Sequence, residues 1–383
     1  MIIDSDFTTK TLQKLVQINS VNPQLDSSGA GELEIGRYIH KLLQEFEADS
    51  VMDEIKPGRV NVTGRIKGVG TGKSLMLNAH MDTVGVKGMV DPFSGKIENG
   101  KLYGRGAYDM KGSIAAILAV AKAMHDHKIQ LNGDLVFSFV ADEEHESIGA
   151  QELIKTIKAD AAIVTEPTNL AICTAHRGFG IFKITTEGKT AHGGNHHLGV
   201  DANSLMGYLL AEISEWSKTL SGHKLHPLCG EASIHVPLIK GGRSLFIYSH
   251  ECEICAERRT IPGETQKEVT QELQKLVSIA SGKDDRFNAI IEPILWRSPY
   301  EISPDSTIVK KLEDAYIKKN QIKPEYIGHT WWEDSAIFGE AGIETVIIGP
   351  KGGGIHEDVE WAELDSVSDL GEILLNTALL FCE

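Results

Sequence analysis

In the stretch Ser74–Asp82, SLMLNAHMD, the short apolar run Ser74–Ala79 stops abruptly at His80-Met81-Asp82. A run of this length bounded by polar residues is the pattern of a strand buried on both faces. Three more stretches share its form. Leu135–Ala141 precedes Asp142-Glu143-Glu144, Ala161–Val164 precedes Thr165-Glu166-Pro167, and Thr345–Ile348 leads through GPKGGG to Ile355-His356-Glu357. Helix-compatible sequence separates them, most clearly Gly112–Met124 with Ile114, Ile117, Leu118 and Met124. Buried strands interleaved with helices predict a layered α/β domain. Ligands of open α/β sheets sit beyond the carboxyl ends of the strands, so His, Asp and Glu from four separate segments are aimed at one edge.

Upstream, Leu12, Leu15 and Val16 share a helical face, and Ile35, Ile39, Leu42 and Leu43 repeat the pattern. The middle of the chain reads differently. Gly180–Thr186 is strand-like, Asp201–Leu220 helical, Ala232–Ile239 and Glu251–Arg258 strand-like, Glu264–Ile279 helical and Asn288–Ile294 strand-like. That β-α-β-β-α-β order predicts a ferredoxin-like α+β module. An inserted domain is therefore expected over 176–295, with 1–175 and 296–383 forming the discontinuous α/β domain.

Size and charge agree with two domains and exclude some classes. The chain has 383 residues, 41% hydrophobic and 24% charged, the mixture of a globular protein. No apolar run approaches a membrane span. Lys plus Arg number 38 against 54 for Asp plus Glu, a net charge of −16, which argues against a nucleic-acid partner. The N-terminal MIIDSDFTTKTLQKL reads as a cytosolic helix rather than a signal peptide, so a cytoplasmic location is expected. Cys252 and Cys255 form a CxxC in a strand-like stretch and read as packing residues.

A fifth segment, Gly104–Gly112, brings Asp109 just ahead of a helix, where a capping role is the ordinary reading of an aspartate. Two imidazoles with several carboxylates suit a borderline divalent cation such as Zn²⁺, Co²⁺ or Mn²⁺. The set is too large for one tetrahedral ion and suits two ions roughly 3.5–4 Å apart with a shared carboxylate. In Glu143-Glu144 one carboxylate can bind metal while the other takes a proton.

His80-Met81-Asp82-Thr83-Val84, Gly104-Arg105-Gly106 through Asp109-Met110-Lys111-Gly112, Asp142-Glu143-Glu144, Thr165-Glu166-Pro167-Thr168 and the Gly349-Pro350 to His356 loop follow one another in register. Together they resemble the di-zinc aminoacylase/carboxypeptidase family, the M20 metallopeptidases, which includes acetylornithine deacetylase and succinyl-diaminopimelate desuccinylase. The resemblance implies an α/β catalytic domain with a mixed sheet and helices on both faces, plus an inserted lid and dimerisation domain. It implies His80 and Glu166 on one zinc, Glu144 and His356 on the other, and Asp109 bridging. Glu143 would be the general base and Asp82 would hold the His80 ring. Cobalt or manganese could substitute for zinc.

Within the insertion, Gly188-Lys189-Thr190-Ala191-His192 resembles the family's GxxAH signature. His192 would then stabilise the oxyanion in a partner subunit, which implies a homodimer through the inserted domain. Arg259 fits the family's carboxylate-binding Arg-x-x-Pro-Gly spacing better, with Arg258 as the alternative. The run Gly193-Gly194-Asn195-His196-His197 departs from the family pattern, and Phe246 to His250 lacks its usual Asn and Pro. His196 and His197 read as exposed loop residues, and Trp331-Trp332 as core aromatics. The implied activity is hydrolysis of an N-acyl amino acid, leaning toward the acetylornithine deacetylase group and arginine biosynthesis. Peptide cleavage by a dipeptidase or carboxypeptidase is the alternative.

Overall fold

The computed structural model describes residues 2–383. The chain divides into two compact units. The first takes the chain up to Thr174 with Ile302–Ile327 and Glu333–Glu383, and the second takes Ala175–Glu301 with Gly328–Trp332. The second unit runs past residue 295 because its last long strand spans Ala289–Arg297 and Tyr300–Glu301 pairs back onto His176 and Ala175. Residues 328–332 join it partly through Trp332, whose indole Nε1 donates to the Ser298 carbonyl at 3.1 Å.

In the first unit a mixed sheet runs in the order Asp49–Lys56, Arg59–Ile66, Leu135–Val140, Leu75–His80, Ala161–Val164, Glu344–Ile347 and then Ile172–His176. The four central strands are parallel, and every residue of Leu75–His80, Leu135–Val140 and Ala161–Val164 is buried. Burial on both faces requires cover on both faces, and two sets of helices supply it. Gly112–Asp126 packs with Ser5–Gln17, Leu33–Glu45 and Leu364–Phe381, while Ile148–Thr156 packs with Ser335–Glu340. Each fully buried Leu, Ile or Phe contributes about 1.5–3 kcal/mol relative to leaving it exposed. A small antiparallel sheet joins distant segments, with Trp361 opposite Tyr103 and Gly353 opposite Trp361.

The second unit is a four-stranded antiparallel sheet ordered Ser233–Gly241, Glu251–Thr260, Gly178–Glu187, Ala289–Arg297. Helices Ala202–His223 and Gln266–Ser281 cover one of its faces around Phe182, Ile184, Met206, Leu209, Ile254 and Leu273. This is the ferredoxin-like arrangement, and the helix at Gln266 opens with a capping box between Thr265 and Glu268. Strand alternation places Cys252 toward the helices and Cys255 on the opposite face, so the CxxC cannot close on itself. No helix among the described residues is long and apolar enough to cross a membrane.

Candidate metal centre

Parallel register brings the strand ends of the first unit together. His80 lies opposite Val140, Asn78 opposite Val164, and Val164 opposite Ile347. The residues that follow each strand therefore emerge at one edge of the sheet. The loop after Glu344–Ile347 passes so close that a Cβ on Gly349 would lie 2.1 Å from the Glu166 carbonyl oxygen. Further on, Gly354 at φ +76° abuts the Val359 carbonyl and turns the chain toward His356, itself in the left-handed region at φ +58°. Only glycine fits the first two positions.

Asp109 is the centre of the arrangement. Its Oδ1 lies 3.0 Å from His80 Nε2 and its Oδ2 lies 3.1 Å from His356 Nε2. His356 Nε2 also meets Glu144 at 3.1 Å, and His80 Nε2 stands 3.6 Å from Glu166. Ligand atoms of His80, Asp109 and Glu144 fall within 4.8 Å of one another, as do those of His80, Glu143 and Glu166. The cap expected of Asp109 is not made. Its carboxylate faces the two imidazoles, and the helix begins at Gly112 without a side-chain cap.

The electrostatics follow from burying this set. Burial raises the Glu143 carboxyl well above its usual range, and the Glu166 charge adds to the effect. Burial likewise raises Glu166 and Glu144, with Asp109 contributing to both. Hydrogen bonds to Asp109 and Glu144 lift His356 to about 10. His80 is raised against its own burial, chiefly by Glu166 and Asp109. Such mutual shifts belong to donors that converge with too little positive charge among them. Divalent cations supply that charge, and imidazole Nε2 with carboxylate oxygens is their donor set. The residues present fit a dinuclear site. A third cluster, Asp142, His145 and Glu146, is different, because Arg59 already pairs with Asp142 at 2.8 Å.

Asp82 acts differently from expectation. The ring of His80 meets the Asp82 backbone carbonyl, Nδ1 to O at 3.0 Å, while the carboxylate stands 3.7 Å away. That carboxylate instead accepts from the backbone N–H groups of Glu143 at 3.1 Å and Glu144 at 3.3 Å. One further anchor had no role assigned from the sequence. Glu360, buried, accepts from the amides of Gly106, Tyr108 and Asp109 at 2.9–3.0 Å and from Arg105 at 2.6 Å, which fixes the loop that presents Asp109. Glu333 and Asp334 lie near enough for their charges to raise Glu166 and Glu143, respectively.

In the second unit Arg258 is not available as a carboxylate receptor. Its side chain is 0% exposed, paired with Glu264 and lying 3.9 Å from Glu272, because strand alternation turns it into the helix-covered core. Arg259 points to the other face, 35% exposed, paired with Glu257 and over the Phe179 ring at 5.0 Å. His192 is exposed, and its Nδ1 accepts from the Gly194 amide at 3.0 Å, leaving Nε2 as the N–H. His196 and His197 are exposed. Trp331, expected in the core, is instead 40% exposed and stacked on His329 at 4.2 Å.

Known proteins resemble this chain. The profile of peptidase family M20/M25/M40 matches residues 76–380. The N-formyl-4-amino-5-aminomethyl-2-methylpyrimidine deformylase of Bacillus subtilis is 28% identical over 366 residues, covering 86% of this chain and 84% of that protein. An acetylornithine deacetylase of Buchnera aphidicola subsp. Acyrthosiphon pisum is 28% identical over 388 residues, covering 97% of each. Among solved structures, the YXEP protein of Bacillus subtilis, a dinuclear metal binding peptidase from the M20 family, superposes with a TM-score of 0.75. It is 17% identical and covers 98% of this chain and 99% of that one, a likeness of fold. Because the profile match begins inside the Leu75–His80 strand and ends inside the Leu364–Phe381 helix, it takes in both units, and the chain belongs to peptidase family M20/M25/M40.

Proposed function

We propose that this chain is a metal-dependent amidohydrolase that removes the acyl group from an N-acyl amino acid, using two zinc ions for which cobalt or manganese can substitute. The observation that carries the reading is Asp109, which offers one oxygen to each of two imidazoles, at 3.0 and 3.1 Å. A carboxylate so placed would serve two cations, with His80 and Glu166 as further donors to one and His356 and Glu144 to the other. When bound, the cations supply a polarised acyl carbonyl and a water of lowered pKa. Glu143 remains as the proton carrier. Burial lifts its carboxyl well above the usual carboxylate range, and a carboxyl beside the water would take its proton and return it to the departing amine nitrogen.

Arg259 would hold the substrate carboxylate, since a planar guanidinium offers two N–H donors to two oxygens. His192, with Nε2 as its N–H, would donate to the developing oxyanion from a second copy of the chain, in a homodimer formed through the second unit. The names of the two relatives, a deformylase and a deacetylase, support acyl removal from an amine over peptide cleavage. An acetylornithine-like substrate, a cytoplasmic location and a place in arginine biosynthesis belong to the same reading.

The test is a hydrolysis panel on metal-stripped protein reloaded with zinc or cobalt. It holds N-formyl-, N-acetyl- and N-succinyl-amino acids, ornithine and diaminopimelate derivatives among them, beside unblocked dipeptides. Turnover of acyl-amino acids alone is the expected result. Turnover of dipeptides alone keeps the centre and overturns the substrate class.

A further inference from the structure

Beneath Glu143 and Glu144 lies a polar network that the reaction as drawn does not use. Asn22, fully buried, donates from Nδ2 to Asp82 Oδ2 at 2.8 Å and to Asp142 Oδ1 at 2.9 Å. Its own Oδ1 accepts from the Gln24 amide at 3.0 Å, so the side chain is fully committed. Arg59 reaches the same Asp142 oxygen at 2.8 Å and grips Glu32 through two contacts of 2.6 Å. The network ends on the backbone. Glu32 accepts from the Asp142 amide at 3.2 Å, and Asp82 from the Glu143 and Glu144 amides at 3.1 and 3.3 Å. Three consecutive N–H groups are thus each held by a buried carboxylate, in a turn whose first residue, Asp142, sits at φ +70°.

We infer that Asn22 is a positioning residue: by cross-linking Asp82 to Asp142 it sets the backbone from which Glu143 and Glu144 project, and so holds the base and its neighbouring donor in their separate places. The inference rests on the reading of Glu143 as the base and Glu144 as a metal donor. Two carboxylates buried side by side repel, and without the donor they share at least one must rotate away. That rotation releases the hold of Asp82 on the two amides. Asn supplies two N–H donors from one nitrogen and adds no charge, which neither a lysine nor a serine does. Displacements below about 1 Å at such a turn reach the reacting atoms through rigid covalent links.

The test compares Asn22→Leu, close in volume but without donors, and Asn22→Ser, smaller and polar should the leucine variant not fold. Each is stripped of metal and titrated with cobalt while visible absorption is followed. Each is then assayed for kcat and KM on whichever substrate the wild type hydrolyses. The expected result is cobalt affinity weakened by about tenfold or more at one of two positions and kcat lowered by about 10–100-fold, with KM within about threefold. A purely structural residue would lower the melting temperature alone. Wild-type kcat per folded molecule together with a wild-type cobalt isotherm overturns the inference. If the wild type binds cobalt yet hydrolyses none of the panel, the proposed reaction fails, and the isotherm still decides the role of Asn22.

Discussion

The strand-end cradle of the first unit and the open sheet face of the second both carry charge, and they hold it in opposite ways. In the cradle, His80 and Asp109 are buried and the carboxylates converge, with backbone amides clamped by Asp82, Glu32 and Glu360. On the open face Arg259 is a third exposed, and His192, on a loop, is exposed with its ring Nδ1 accepting from the Gly194 amide. The difference separates two tasks. A site that stabilises charge as it develops must have its dipoles fixed beforehand, whereas a residue that meets a substrate can be ordered by the substrate itself, at a cost in side-chain entropy.

The largest expected effect tests the cradle. Glu143→Gln keeps the shape and removes the proton carrier, so turnover should fall by about 10²–10⁴-fold. Cobalt uptake, read by visible absorption, should remain at the wild-type stoichiometry. Loss of a cobalt along with activity would move Glu143 into the ligand set, where its grouping with His80 and Glu166 would place it.

In the strand Glu251–Thr260 the adjacent arginines separate the two kinds of charge. Arg259→Ala should raise KM by about 10–100-fold with kcat little changed, as loss of a charge-assisted pair requires. Arg258→Ala should leave KM alone and lower the urea midpoint, because it empties a place in the helix-covered core and takes from Glu264 one of its two cationic partners, the other being Lys224 at 2.7 Å. Exchanged phenotypes would break the assignment.

A smaller effect tests how firmly the cradle holds its charges. Burial raises Glu32 to about 7 from 4.5, against the pull of Arg59. The folded state therefore binds that proton more tightly than the unfolded chain. Its contribution to stability is complete below pH 4.5 and is lost as pH rises through about 7. Glu32→Gln should flatten this part of the urea midpoint's dependence on pH, and an unchanged slope would contradict it. Smallest of all, a thiol reagent on native protein should label Cys255 first. Cys173, Cys229, Cys252 and Cys382 are buried, and burial pushes the Cys382 thiol up to about 12. Rapid labelling of Cys252 would show the second unit's core to be open.

Much of this was legible before any coordinates. The four apolar runs became strands within a residue or two at each end, because strands buried almost throughout keep most of their positions apolar. The ferredoxin-like order was legible for the complementary reason, since its strands alternate and its helices carry one apolar stripe. Asn22 and Glu360 were not legible. Each is an ordinary polar residue in its local sequence, and each finds partners 60 to 255 residues away. Arg258 and Arg259 could not be separated by motif spacing, yet strand alternation in a sheet covered on one face separates them completely.

Residue type and order along the chain were enough to lead one to expect two domains and a sheet edge rich in His, Asp and Glu, and to propose Glu143-Glu144 as base beside donor. These follow from local pattern and from the chemistry of single side chains. Which oxygen of Asp109 meets which imidazole, and that Asp82 holds the Glu143 and Glu144 amides rather than the His80 ring, were settled only by the fold. Hydrogen bonds are decided within tenths of an ångström. Parallel strands set that scale only once segments far apart in sequence are packed side by side.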